Sequence, residues 1–333
     1  MRFLKDKVFV TAPSDAINSE GDCLRLENAV KNFKKLGYNV KIGKTVKIKN
    51  KYDSEEYRLK VIELENALKD PSVDIIISAN GGDKIIELVP FLNFEEMKKN
   101  EEKIIQGFSD NAVLLFLFTT ILNWKTYYAP CFPTFGFNNW DETIKNNLEM
   151  LKGNIIEQKS STLYETKSLK KVKGKELQGY NLDTPNNIFE LNGLSACTLE
   201  GTMIGGCLDV IRNLVGTKYD YVKKFNEKNE KVIWYIENCA MNLQELEECL
   251  EKMIENNWFY RVNGFMIGRG KITLNEEFFK EQNKMLLDLL GKYKVPILVN
   301  CDFGHVRPFI TLINGADAKL EYNNGKYKIF QSL

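Results

Sequence analysis

The chain has 333 residues, 44% hydrophobic and 27% charged, which suits a globular protein of one large or two medium domains with a sizeable core. Lys and Arg number 46 and Asp and Glu 45, a formal net charge of +1, so nothing pulls it electrostatically toward nucleic acid or an anionic membrane. A single histidine excludes a zinc site built on a His pair.

The chain starts with Met1-Arg2-Phe3-Leu4-Lys5-Asp6-Lys7, which is charged, and the following Val8-Phe9-Val10 run is too short for the apolar core of a leader. A cytoplasmic location is therefore expected. Lys7 to Thr11 predicts a strand. Leu26, Ala29, Val30, Phe33 and Leu36 form a helical stripe across Cys23 to Leu36, stopped by Gly37. Tyr38 to Ile42 reads as a strand. Asp53 and Glu56 predict a capping box for a helix bearing Tyr57, Val61, Leu64 and Leu68. Val73 to Ser78 and Lys103 to Gln106 are strands of the buried type. Ala112 to Leu122 reads as a buried helix, well short of the roughly 20 residues of a membrane span. This alternation implies a parallel sheet with helices on both faces.

From Glu157 to Gly193 the chain is rich in Lys, Ser, Thr and Asn, and its periodicity is weak. It reads as an interdomain linker with a short hairpin around Gly174, the kind of segment that often carries binding residues. The second half mixes elements. Lys231 to Ile236, Gly264 to Gly268 and Val295 to Val299 read as strands. Asn242 with Glu245 caps a helix to about Asn256, and Phe278 to Leu290 is another helix. Asn324-Gly325 turns a terminal hairpin over Ala318 to Phe330. The seven cysteines form no close pair and read as reduced core thiols. Cys301, near His305, is the alternative nucleophile among them, although no elbow or helix start is evident there to lower its pKa.

Four places carry candidate chemistry. His305 follows a strand end and Gly304, where functional side chains are often presented. Gly107-Phe108-Ser109-Asp110 lies between a buried strand and a helix, the context of a nucleophile elbow; the plain reading is that Ser109 is a helix cap. Asn80-Gly81-Gly82-Asp83 ends another strand, and paired glycines let backbone N–H groups approach a ligand; an ordinary βα turn explains them equally. Gly205-Gly206 shares that ambiguity. Glu237 ends an apolar strand, where a carboxylate needs a partner or a place in solvent; one accepting Nδ1–H of a histidine would orient that ring.

Taken together and in order, these segments resemble the LD-carboxypeptidase family of serine peptidases, which includes murein tetrapeptide carboxypeptidases and microcin C self-immunity proteins. The resemblance rests on Val10-Thr11-Ala12-Pro13-Ser14, Ser78-Ala79-Asn80-Gly81-Gly82, Gly107-Phe108-Ser109-Asp110, Ile204-Gly205-Gly206-Cys207-Leu208, Gly216-Thr217-Lys218-Tyr219, Gly264-Phe265-Met266-Ile267-Gly268-Arg269 and Asp302-Phe303-Gly304-His305. It implies a Ser-Glu-His triad of Ser109, Glu237 and His305, with an oxyanion hole from the backbone N–H groups of Asp110 and of Gly81 or Gly82. It also implies a homodimer of two-domain subunits, with no metal or other cofactor. The expected fold is α/β: a doubly wound, flavodoxin-like or amidotransferase-like parallel sheet over residues 1–156, a linker over 157–193, and a mixed α/β domain rich in strands over 194–333.

The expected substrate is a small peptide with an L,D bond, or a peptidyl- or aminoacyl-nucleotide conjugate. Thr126-Tyr127-Tyr128-Ala129-Pro130 and the segment to Gly153 resemble the immunity-like branch. That branch is associated with linker tryptophans that stack on adenine, and this linker holds only Tyr164, Tyr180 and Phe189. A tyrosine can also stack, so Tyr164, Tyr180 and Asn80 are the candidate substrate contacts. The alternative is a binding or sensor protein that keeps the fold without the chemistry. It is supported by Asn238, where the family has an acid, and Asn80, where it has an apolar residue.

Overall fold

Five strands, β1 (Lys7–Thr11), β2 (Asn39–Ile42), β3 (Ile75–Ser78), β4 (Ile104–Gly107) and β5 (Thr126–Tyr128), run parallel in the spatial order β5-β4-β3-β1-β2. The computed structural model describes residues 6–333, so Met1 to Lys5, part of the charged start, lie outside the described residues. Alternate strand residues face opposite ways. Val8, Val10, Ile75 and Ile77 pack with Leu26, Ala29 and Phe33 of the helix Glu20–Lys35, whereas Phe9, Ile76 and Ile105 pack with Val61 and Leu64 of the helix Ser54–Lys69. Helices therefore cover both faces, as the strand–helix alternation implies. Half of the expected capping box forms. Asp53 accepts from the Glu56 N–H at 2.9 Å. The Glu56 carboxylate turns away from Asp53, accepting from the N–H groups of Lys51 and Tyr52 and pairing with the buried Lys60 at 2.5 Å.

The 157–193 segment supplies β6 (Gln158–Lys159), β7 (Leu163–Tyr164), β8 (Thr184–Pro185) and β9 (Phe189–Glu190). β7 pairs with β8, Leu163 opposite Pro185, so the hairpin is wide and Gly174 lies within its loop. β10 (Ala196–Cys207), β11 (Val232–Glu237), β12 (Val262–Arg269) and β13 (Ile297–Gly304) are parallel neighbours. After them come β14 (Leu312–Asn314) and the hairpin of β15 (Asp317–Asn323) and β16 (Lys326–Gln331). The second sheet has the order β6-β16-β15-β10-β11-β12-β13-β9, so both of its edges come from the 157–193 segment. β14 crosses back and pairs antiparallel with β5, closing the first sheet.

β10 carries three glycines, which mask its strand pattern in the sequence; pairing with β11 on one side and β15 on the other holds it extended. Gly205 and Gly206 lie inside this strand, not at a turn. A Cβ on Gly206 would sit 2.9 Å from the Ala112 Cβ, so the glycine admits the helix Ala112–Leu117 against the second sheet. That helix and the turn to Leu122 pack into one core with Trp234 and Trp258; the Phe116 ring stacks on Trp258 with centroids 5.1 Å apart. Among the described residues no helix is long and apolar enough to cross a membrane.

A buried ion pair ties the 157–193 segment to this framework. Arg269 and Asp302, 2% and 0% exposed, meet at 2.7 Å. Asp302 also accepts from Asn186 Nδ2 (2.9 Å), the Ser161 N–H (3.0 Å) and the Tyr327 hydroxyl (3.2 Å). Removing one member of such a pair strands the other charge. Asp302→Ala is expected to cost about 3–5 kcal/mol in chemical denaturation and to expose residues 157–193 to limited proteolysis in the surviving folded protein.

Candidate active site

β4 ends at Gly107, and the chain turns sharply before the helix at Ala112. Ser109 sits in that turn with φ +61, a left-handed conformation that costs a non-glycine residue on the order of 1–2 kcal/mol. One buried Leu or Phe of the following helix contributes about as much, so the packed helix can hold the elbow. A Cβ on Gly107 would fall 2.7 Å from the Asn111 Cβ, and one on Gly81 would fall 3.1 Å from the Ser109 Cβ. The glycine before the serine thus relieves crowding, and Gly81 lets the β3 turn close on Ser109.

Side chains next to Ser109 lock the two turns together. Asn111 Nδ2 donates to the Asn80 carbonyl at 2.7 Å. The Asp110 carboxylate accepts from Ser14 Oγ at 2.5 Å and from the Ile85 N–H at 2.9 Å. Burial pushes the Asp110 carboxyl up to about 6, against those two hydrogen bonds and with help from the charges of Asp83 and Asp15. Neither Gly81 nor Gly82 donates its N–H to another described residue, and both lie at the cavity wall with Asn80 and Ser109.

The second sheet supplies the facing groups. Glu237 ends β11 fully buried. Its Oε1 accepts from the Tyr128 hydroxyl at 2.7 Å, and its Oε2 from His305 Nδ1 at 2.8 Å and the His305 N–H at 3.2 Å. Burial and the charge of Glu237 raise the Tyr128 phenol well above its ordinary range, so it remains a donor. With Nδ1–H directed at a carboxylate, His305 Nε2 is left as the acceptor, and it lies 3.0 Å from Ser109 Oγ. Ser109, His305 and Glu237 thus form one hydrogen-bonded chain across 196 residues of sequence. The Phe108 ring supports the imidazole from the side, 4.6 Å between centroids.

Ser109 and His305 open into a cavity of 620 Å³ that also reaches Tyr180 and Phe137. Tyr164 does not line it: the half-buried ring lies against the Arg269 guanidinium, 5.2 Å from its centroid, so the expectation that Tyr164 contacts substrate does not fit. Cys301 is fully buried, its thiol pushed up by burial, which removes it as an alternative nucleophile. Asn238 is structural: its side chain exchanges hydrogen bonds of 2.9 Å with the Met241 carbonyl and N–H.

Two family models cover most of this chain. The LD-carboxypeptidase N-terminal domain matches residues 8–129 and the LD-carboxypeptidase C-terminal domain matches residues 200–320. The chain belongs to the LD-carboxypeptidase family. It is a serine carboxypeptidase-like hydrolase, acting on peptide-type bonds. A putative carboxypeptidase of Treponema pallidum is 27% identical over 92% of this chain and 87% of its own length. The microcin C7 self-immunity protein MccF of Escherichia coli is 23% identical, covering 92% and 88%. The crystal structure of an MccF-like protein from Streptococcus pneumoniae in complex with AMP shares the fold, with a TM-score of 0.84 at 19% identity, covering 99% of each chain.

Within this LD-carboxypeptidase family member, several supporting groups escaped the sequence reading. Tyr128 lies in a three-residue strand whose facing partner no periodicity reveals. The Asp209 carboxylate holds the turn after Glu237 through the N–H groups of Cys239 and Ala240, at 2.8 and 2.9 Å. Cys207 lies with Glu237 and His305, their ligand-type atoms within 4.8 Å of one another. The Cys207 thiol is fully buried and pushed well up, by burial first and then by Glu237, which leaves it a neutral neighbour.

Asp110 yields a pH test. Its carboxyl is raised above the unfolded value of 3.8, so between about pH 4 and 6 the folded chain binds more protons than the unfolded one, and stability falls as pH rises through that window. Asp110→Asn keeps an acceptor for Ser14 and Ile85 without the charge. Urea titrations are expected to show the wild type losing on the order of 2 kcal/mol relative to the variant between pH 4 and 7.

Proposed function

We propose that Ser109 is the nucleophile, His305 the general base and Glu237 the orienting carboxylate of an amide hydrolase. The observation that carries the reading is the hydrogen-bonded chain Ser109 Oγ–His305 Nε2–His305 Nδ1–Glu237 Oε2, with spacings of 3.0 and 2.8 Å. His305 Nε2 takes the Ser109 proton as Oγ bonds to the scissile carbonyl carbon. The N–H groups of Asp110 and of Gly81 or Gly82 receive the oxyanion. The imidazolium, held by Glu237, protonates the leaving amine as the C–N bond breaks. Water, deprotonated by His305, then releases the acyl group from Ser109.

The substrate is a peptide-like amide, either an L,D-peptide or an aminoacyl- or peptidyl-nucleotide conjugate. The likeness to MccF and to a relative solved with AMP supports the second class, as do Tyr180 and Phe137, aromatic rings of the cavity wall. A homodimer in the cytoplasm, built from residues 1–156, a 157–193 connection and residues 194–333, completes the proposal; light scattering is expected to give twice the mass of one chain.

Ser109→Ala and His305→Ala are each expected to lower kcat roughly 10⁴- to 10⁶-fold, and Glu237→Gln by a smaller factor. An L,D-tetrapeptide and an aminoacyl-sulfamoyl adenosine, assayed side by side, separate the substrate classes. A serine-directed fluorophosphonate is expected to label Ser109 and to fail on His305→Ala. Near-normal turnover by purified Ser109→Ala, or labelling indifferent to His305, would favour a binding protein that keeps the fold without the chemistry.

A further inference from the structure

Three acids, Asp22, Asp83 and Glu165, line the cavity around Ser109 and His305 against five cations, Arg25, Lys170, Lys171, Lys271 and Arg307. Asp22 is engaged by Arg25 and Ser19. Glu165 is 7% exposed and accepts from the Asn181 N–H at 3.1 Å. Lys170 and Arg307 line the same cavity, and among the described residues neither has a carboxylate within ion-pair distance.

Arg307 is held in place. Its guanidinium lies over the Phe108 ring, 4.7 Å from the centroid, and that same ring supports His305. One end, Nη1, donates to the Gly304 carbonyl at 2.5 Å, the one acceptor the guanidinium has among the described residues. Its remaining N–H groups form a planar fork suited to an oxyanion. Lys170 comes from the 157–193 segment, is exposed, and lines the cavity. The Tyr180 hydroxyl is buried at the cavity wall with no hydrogen-bond partner among the described residues, a neutral donor left over.

We propose that Lys170 and Arg307 form a binding subsite for an oxyanion carried by the substrate beside the scissile amide, a carboxylate or a phosphoryl-type group. The subsite's place beside the scissile bond rests on the Ser109–His305 reading; its affinity for anions does not. The electrostatics agree. The cavity walls, then Arg307 and Arg25, push the Lys170 ammonium down to about 8; Lys271 adds to that push and Asp22 opposes it. Asp22 offsets only part of that desolvation and repulsion, and a bound anion would relieve the rest. Because the lysine is mostly charged at pH 7 and loses its proton around pH 8, its hold on an anion weakens as pH rises through that range.

The test measures binding rather than turnover. Calorimetric titrations on Ser109→Ala compare an L,D-tetrapeptide bearing a free carboxylate with its C-terminal amide, and AMP with adenosine. At pH 7 at least one charged ligand is expected to bind about tenfold or more tightly than its neutral counterpart, and the pair that does so names the source of the anion. Lys170→Met is expected to erase most of that preference. Lys170→Arg is expected to keep it and to extend it above pH 8, where the parent protein loses it. Equal binding within both pairs, no binding of either charged ligand at millimolar concentration, or a preference that survives Lys170→Met and Arg307→Met combined, would overturn the proposal. Fluorophosphonate labelling of the parent chain reports Ser109 and His305 separately. A charge preference without labelling sinks the nucleophile reading and leaves the subsite standing.

Discussion

The helix Ala112–Leu117 has no solvent face, and the geometry of the candidate site follows from that constraint. An apolar segment buried all round must be covered on every side. Here the covering comes from both sheets, with Phe116 against Trp258 and Ala112 against Gly206. Ser109 stands just before this helix. Whatever fixes the helix therefore fixes the serine relative to β11, which ends in Glu237, and β13, after which His305 follows. The strained backbone of Ser109 persists because relaxing it would unseat well-packed side chains.

Electrostatics narrow the arrangement further. A fully buried Glu237 demands donors, and Tyr128, from the first sheet, and His305, from the second, supply them. The same carboxylate thus joins the halves and sets the imidazole's orientation. Asp110 makes a similar bond on the other side of the serine, tying the turn after β4 to Ser14 and to the chain beyond Gly82. Both acids do structural work immediately beside the groups proposed to react.

The 157–193 segment belongs to the second sheet through β6 and β9 and to the buried Arg269–Asp302 pair through Ser161 and Asn186. Its loop, anchored at both ends, brings Tyr180 and Lys170 to the cavity. Membership in the LD-carboxypeptidase family accounts for the two matched domains, which flank this segment. The side chains it lends to the cavity are where relatives sharing one framework can differ in what they accept.

The sequence by itself determined the local elements and where the reactive residue types lie. The Leu26–Phe33 stripe, the Asn242–Glu245 cap and the Asn324-Gly325 turn each depend on neighbours a few residues away, and such signals survive without tertiary information. Ser109, Glu237 and His305 were legible as residues at strand ends, and the family resemblance set them in one order. Only the tertiary structure decided that they meet, because 196 residues separate Ser109 from His305 and no local pattern encodes a distance across a core. It also decided the surroundings of Tyr128, Asp110, Lys170 and Arg307, and the position of Tyr164 away from the cavity. Each depends on what lies opposite in space, which burial and charge choose after the chain has closed.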